Sequence, residues 1–123
     1  MSVRRRVVAA RYDARSGRAT FARAFSDTIA ERMRALHALP DGRSDTVAES
    51  TTLPEFPQGE IATTEVIDLI TARLEDAVAT CRDVHDQVDE EDPTSADIFH
   101  EIIEKLEQYA WMMSAENRKP AAS

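Results

Sequence analysis

Residues 63–117 read TTEVIDLITARLEDAVATCRDVHDQVDEEDPTSADIFHEIIEKLEQYAWMMSAEN, two helical patterns joined by the acidic turn Asp89-Glu90-Glu91-Asp92-Pro93. Before the turn, Ile67, Ile70, Leu74, Ala77, Cys81, Val84 and Val88 recur at alternating steps of three and four. Such steps put side chains on one stripe of a helix. After the turn, Phe99, Ile102, Leu106, Tyr109 and Met113 repeat the steps, and Ile98, Ile103 and Ala110 widen the face. A face that broad suits packing against more than one neighbour rather than a two-stranded zipper. The expectation is an antiparallel helix pair that needs partners.

Working outward, the second pattern has a clear start: Asp92 caps it and Pro93 takes the first helical position, where a missing N–H costs nothing. Thr63 is the expected N-cap of the first, with Glu65 in the opening turn where the helix dipole favours an acid. Upstream, Ala22, Phe25, Ile29, Met33 and Leu36 share a face over residues 19–39, and Pro40-Asp41-Gly42 stops the run. Residues 43–61 form a Ser-, Thr- and Pro-rich linker anchored by Leu53, Phe56 and Val47, with a short helical turn near Asp45 to Glu49. Its length predicts a crossover along a bundle rather than a tight loop. Residues 1–20 show no sustained period and read as a basic arm, disordered or only locally helical, in which Val7, Val8 and Tyr12 are the large side chains. Residues 119–123 read as a frayed tail. The predicted class is all-α with three main helices near 19–39, 63–89 and 93–117.

With 123 residues, 42% hydrophobic and 31% charged, the chain is large enough for one small domain. Only 3 glycines, with strong helix formers throughout the second half, favour helix. A net charge of −8 argues against a nucleic-acid clamp made by the whole body. The charge is uneven, however: Arg4, Arg5, Arg6, Arg11, Arg15, Arg18 and Arg23 precede Asp27, against the single acid Asp13. No apolar run reaches membrane-span length, and no apolar segment follows the basic start as a signal peptide requires. Cys81, the single cysteine, lies on the apolar stripe and reads as a reduced packing thiol of a cytoplasmic protein.

Asp27 and Glu31 are one turn apart and roughly opposite Phe25, Ile29 and Leu36 on the helical wheel. Like charges at that spacing repel, and a bound cation removes the cost. Two carboxylates on one turn are a common half of an iron, manganese or magnesium site. A solvated acidic face relieved by Arg23 and Arg34 is the ordinary alternative. His37, His85 and His100 show no metal-ligand spacing among themselves; His85 falls near the stripe edge, and Asp97 and His100 read as surface. Trp111 sits beside the apolar face, suited to packing or a subunit contact. Phosphate loops, Cys-x-x-Cys pairs and Ser/His/Asp orders are absent from the sequence.

Asp27-Thr28-Ile29-Ala30-Glu31-Arg32 resembles the D-x-(I/M)-A-E-R signature of the Dps proteins, the mini-ferritins that protect DNA in starved bacteria. The likeness continues through Met33-Arg34-Ala35-Leu36 and Pro40-Asp41-Gly42. It resumes at Asp92-Pro93-Thr94-Ser95-Ala96-Asp97 and at Leu106-Glu107-Gln108-Tyr109-Ala110-Trp111. It covers about residues 21–119 and is nearest to actinobacterial members. The resemblance implies a ferritin-like four-helix bundle, assembled as a hollow dodecamer. It also implies a di-iron ferroxidase activity that oxidises ferrous iron at two-fold interfaces and stores it as ferric mineral. Asp27 and Glu31 match the family's two carboxylate ligands, and Asp89 to Asp92 the region that lines a pore for iron. DNA binding through basic tails and a place in the stress response, in the cytoplasm and at the nucleoid, are implied in the same way.

One departure qualifies this. The family's two ligand histidines belong to a first helix carrying H-W-x-x-x-G, and no histidine precedes Asp27 in this sequence. The sequence therefore predicts a truncated ferritin-like domain at 21–118, with residues 1–20 in place of the first helix. Iron oxidation is expected to be impaired and self-assembly to stop at small oligomers rather than a closed shell. The alternative is a non-catalytic helical protein whose Arg-rich arm contacts DNA or a partner.

Overall fold

The computed structural model describes the backbone of residues 3–118 and the side chains of residues 17–118. Four helices follow one another: α1 Val3–Ala35, α2 Ser44–Ser50, α3 Thr63–Glu91 and α4 Pro93–Glu116, and the described residues contain no strand. The three-helix expectation is therefore corrected to four. It erred because apolar periodicity finds packing faces, and α2 buries no residue at all. The same cause moves the start of α1. Its apolar pattern begins near residue 19, yet the backbone is helical from Val3, because Ala and Arg sustain helix without any packing stripe. Side chains of the basic stretch before residue 17, Val7, Val8 and Tyr12 included, and the tail 119–123 lie outside the described residues.

Two compact units divide the chain, Met1–Pro40 and Asp41–Ser123. In the first, Phe21 and Phe25 meet edge to face with ring centroids 4.1 Å apart, one turn of α1 from each other. The helix ends at Ala35, ahead of the Pro40-Asp41-Gly42 stop expected from sequence. His37 adopts φ 66°. The His37 N–H donates to Arg34 O at 3.0 Å and the Ala38 N–H to Met33 O at 2.8 Å. This is a Schellman termination with histidine at the left-handed position usually held by glycine.

In the second unit, Asp41 organises the approach to α2. Its carboxylate accepts from Arg43 Nε at 3.0 Å and Nη2 at 2.8 Å, and from the Thr46 hydroxyl at 2.9 Å. The linker then runs along α3, where Arg73 holds it. The Arg73 guanidinium donates to Glu55 O at 2.9 Å and lies 5.4 Å from the centre of the Phe56 ring. Leu53, Phe56 and Val47 stay exposed, so Arg73, rather than those apolar anchors, fixes the linker's course.

Helices α3 and α4 are antiparallel. Asn117 Nδ2 donates to Thr64 O at 2.7 Å and Asp68 Oδ1 at 3.0 Å, tying the end of α4 to the start of α3. Asp92 caps α4 as expected, accepting from the Ser95 N–H at 3.2 Å and from its hydroxyl. The cap of α3 is Ala62 rather than Thr63, without a side-chain bond; helix ends shift by a residue when no cap pins them.

The packed face of α3 is Ile67, Thr71, Leu74, Val78, Cys81, His85 and Val88, all buried or half-buried. On α4 the corresponding set, Ala96, Phe99, Ile103, Leu106, Ala110, Met113 and Asn117, is likewise buried or half-buried, with Ile102 buried beside it. Both sets step by three and four, the spacing of a knobs-into-holes seam. On α3 the seam is rotated from the apolar stripe, so that Val78 is buried while Val84 is 40% exposed.

Candidate functional site

Asp27 and Glu31 lie on α1, both exposed, on a different side from the half-buried Phe25 and Ile29. Thr28 between them is turned into the helix, its hydroxyl donating to Ala24 O at 3.0 Å. The Thr28 hydroxyl is thus committed to the backbone, while the two carboxylates stay exposed. Among the described residues, no group of three or more His, Cys, Asp and Glu side chains is placed to hold a metal ion. A cation at Asp27 and Glu31 therefore needs its remaining ligands from water or another molecule.

A second constellation, which the sequence reading left dispersed, spans α3 and α4. His85 and His100 face each other with Nε2 to Nε2 at 2.6 Å and ring centroids 4.7 Å apart. Behind His85, Nδ1 is hydrogen-bonded to Asp86 Oδ1 at 3.1 Å; behind His100, Asp97 Oδ1 lies 3.5 Å from Nδ1. The reading of His100 as plain surface is thus incomplete: it is exposed, but its ring is engaged. The signal was available. His85 precedes the Asp92 turn by seven residues and His100 follows it by eight, so an antiparallel pair brings them level.

The remaining candidates are quieter. Cys81 is half-buried, and burial pushes its thiol pKa up, which suppresses the reactive thiolate. Asp92 is engaged in capping, leaving Asp89, Glu90 and Glu91 as the exposed acids of the turn. Trp111 is 68% exposed, so no packing within the described residues accounts for it.

The ferritin-like domain family matches residues 19–120 of this sequence. This chain belongs to the ferritin-like family. Over 91 residues the ferritin-like chain is 33% identical to DNA protection during starvation protein 2 of Deinococcus radiodurans, an alignment covering 74% of this chain and 38% of the relative. Over 93 residues it is 31% identical to the fine tangled pili major subunit of Haemophilus ducreyi, covering 76% of this chain and 49% of the relative. The crystal structure of Dps92 from Deinococcus radiodurans superposes with a TM-score of 0.73 at 31% identity, covering 80% of this chain and 59% of that one. The chain spans less than half the length of either curated relative. Its resemblance within the family is to Dps proteins; neither relative comes from an actinobacterium, so the finer placement made from sequence is not supported. Asp27, Glu31, His85 and His100 all fall in the matched segment. Among the described residues, no helix is long and apolar enough to cross a membrane.

Proposed function

We propose that this ferritin-like chain is a Dps-like subunit that takes up ferrous iron and oxidises it, with Asp27 and Glu31 as its carboxylate ligands. The observation that carries the reading is the placement of two exposed carboxylates, one turn apart on α1, within the segment that matches the family. Their oxygen donors suit iron as substrate, and their mutual repulsion of a few tenths of a kcal/mol is relieved when a cation binds. Each ferrous ion gives up one electron, to peroxide or dioxygen, and the ferric product is held more tightly by the same hard donors. Two carboxylates leave most of the coordination open, so the rest is supplied by water and a second copy of the chain. We assign the protein to the cytoplasm, with a protective role under stress.

Anaerobic ferrous titration followed by peroxide addition tests this. Stoichiometric uptake and ferric absorbance are expected for the intact chain, with both lost in the double variant Asp27→Ala, Glu31→Ala. Uptake unchanged by that variant, or none by the intact chain, removes the iron reading. The rival is then a non-catalytic helical protein whose arginine-rich start of α1 contacts DNA, an interaction whose affinity must fall steeply with salt.

A further inference from the structure

The pair formed by His85 and His100 is unused by the proposed iron chemistry. It occupies an unexpected place: His85 stands in a seam position of α3, where an apolar side chain continues the pattern. Two imidazoles with Nε2 atoms 2.6 Å apart share one proton, since only one N–H fits between them. Asp86 accepts from Nδ1 of His85, which leaves the Nε2 lone pair of that ring aimed at His100. Asp97 stands behind Nδ1 of His100 in the same sense. A carboxylate behind one ring nitrogen and an open lone pair on the other is how metal-ligating imidazoles are oriented and made more basic. The hydrogen bond is made at His85, and at His100 the carboxylate stands at ion-pair distance, so the two rings converge on one point from two helices.

We propose that His85 and His100 form a bis-imidazole site bridging α3 and α4 that binds a late first-row divalent cation, zinc or copper. Zinc–nitrogen bonds of about 2.0–2.1 Å in a tetrahedral site place two nitrogens on one ion roughly 3.3–3.4 Å apart. The present separation has to open by less than about 1 Å, which a ring rotation of His100, 57% exposed, supplies. The ion takes the position of the shared proton; His100 then carries its single proton on Nδ1, on the side of Asp97, while His85 keeps its Nδ1 proton hydrogen-bonded to Asp86. Water completes the coordination on the exposed side. Donor chemistry separates this site from the α1 carboxylates: imidazoles prefer copper, zinc and nickel, whereas paired carboxylates suit harder cations. Because the ligands come from two helices, a bound ion clamps the antiparallel pair and stabilises the folded chain.

Isothermal titration of the full chain with Zn²⁺, in a buffer that does not chelate, tests the site. We expect one high-affinity ion per chain and a raised thermal midpoint. His100→Gln lowers the affinity at least tenfold, and the exposed position keeps the fold, as circular dichroism verifies. With Cu²⁺, electron paramagnetic resonance shows two equivalent nitrogens in the intact chain and at most one in His100→Gln or His85→Gln. The Asp27→Ala, Glu31→Ala variant retains Zn²⁺ binding while losing iron, so the two sites fail or stand separately. Absence of Zn²⁺ binding by the intact chain overturns the proposal and leaves a proton-sharing pair only. Affinity unchanged in His100→Gln overturns it too, by placing the ion elsewhere.

Discussion

Asp92 and Asp41 show two ways in which a carboxylate sets the backbone. Asp92 satisfies an orphan N–H at the start of α4 through Ser95, so Asp92→Ala is expected to cost about 1 kcal/mol in denaturant unfolding. A change within ~0.2 kcal/mol means that the cap contributes nothing. Asp41 works through charge. The Arg43 side chain, aided by the Arg43 N–H and the Thr46 hydroxyl, lowers its carboxyl pKa from 3.8 to about 2. A folded value below the unfolded one means that the link is intact above pH 3.8 and is lost as the pH falls through about 2. A carbon-detected titration of the Asp41 carboxyl should therefore have its midpoint near the lower value in the folded protein, and in Arg43→Ala it should return toward 3.8. An unchanged midpoint in that variant means that Arg43 is not the cause.

The seam between α3 and α4 can be read by a pair of substitutions. Val78 is buried and Val84 is 40% exposed, although the apolar stripe in the sequence contains Val84 and omits Val78. Val78→Ala removes two buried carbons and leaves a cavity, a loss of roughly 1.5–3 kcal/mol. Val84→Ala is expected to stay within about 0.5 kcal/mol. Urea unfolding of the two variants decides the phase, and the reverse ranking restores the stripe read from sequence. Other seam contacts matter less: the ion pair of Arg82 with Glu107 is exposed on both sides, and such pairs contribute about 0–1 kcal/mol. What was legible here was the direction and partnership of the two helices, since the turn at Asp92-Pro93 and the three- and four-residue recurrences are local. The phase was not, because the competing seam includes Thr71 and His85, polar residues that apolar counting passes over.

Across the described residues, buried apolar side chains are few: Ile67, Val78, Ala96, Ile102, Ile103, Ala110 and Met113, with no large side chain fully buried. Leu39 at 81% and Trp111 at 68% are left in solvent. Each large apolar side chain so exposed forgoes about 1.5–3 kcal/mol, against a net stability of roughly 5–15 kcal/mol for a small domain. Self-association that covers Trp111 is the expected response. Light scattering behind size-exclusion chromatography should give a mass that rises with concentration, and Trp111→Glu should shift it toward the monomer. A monomer at every concentration, or a discrete dodecamer untouched by Trp111→Glu, contradicts this.

Sequence alone determined the class, the antiparallel pair, the cap at Asp92 and the carboxylates of Asp27 and Glu31 on one turn. All of these depend on residues within a few positions of one another. It fell short where helix exists without a packing stripe, at the start of α1, and it placed α2 only as a short turn near Asp45 to Glu49 rather than as a fourth helix. Only the tertiary structure decided the face on which α3 packs. The two possible stripes share Ile67, Leu74, Cys81 and Val88, and a 3.6-residue period leaves the intervening positions nearly equivalent. The partner helix breaks that near-degeneracy by where its own side chains fit. In doing so it turns Val84 toward solvent and brings His85 level with His100, fifteen residues away in the chain.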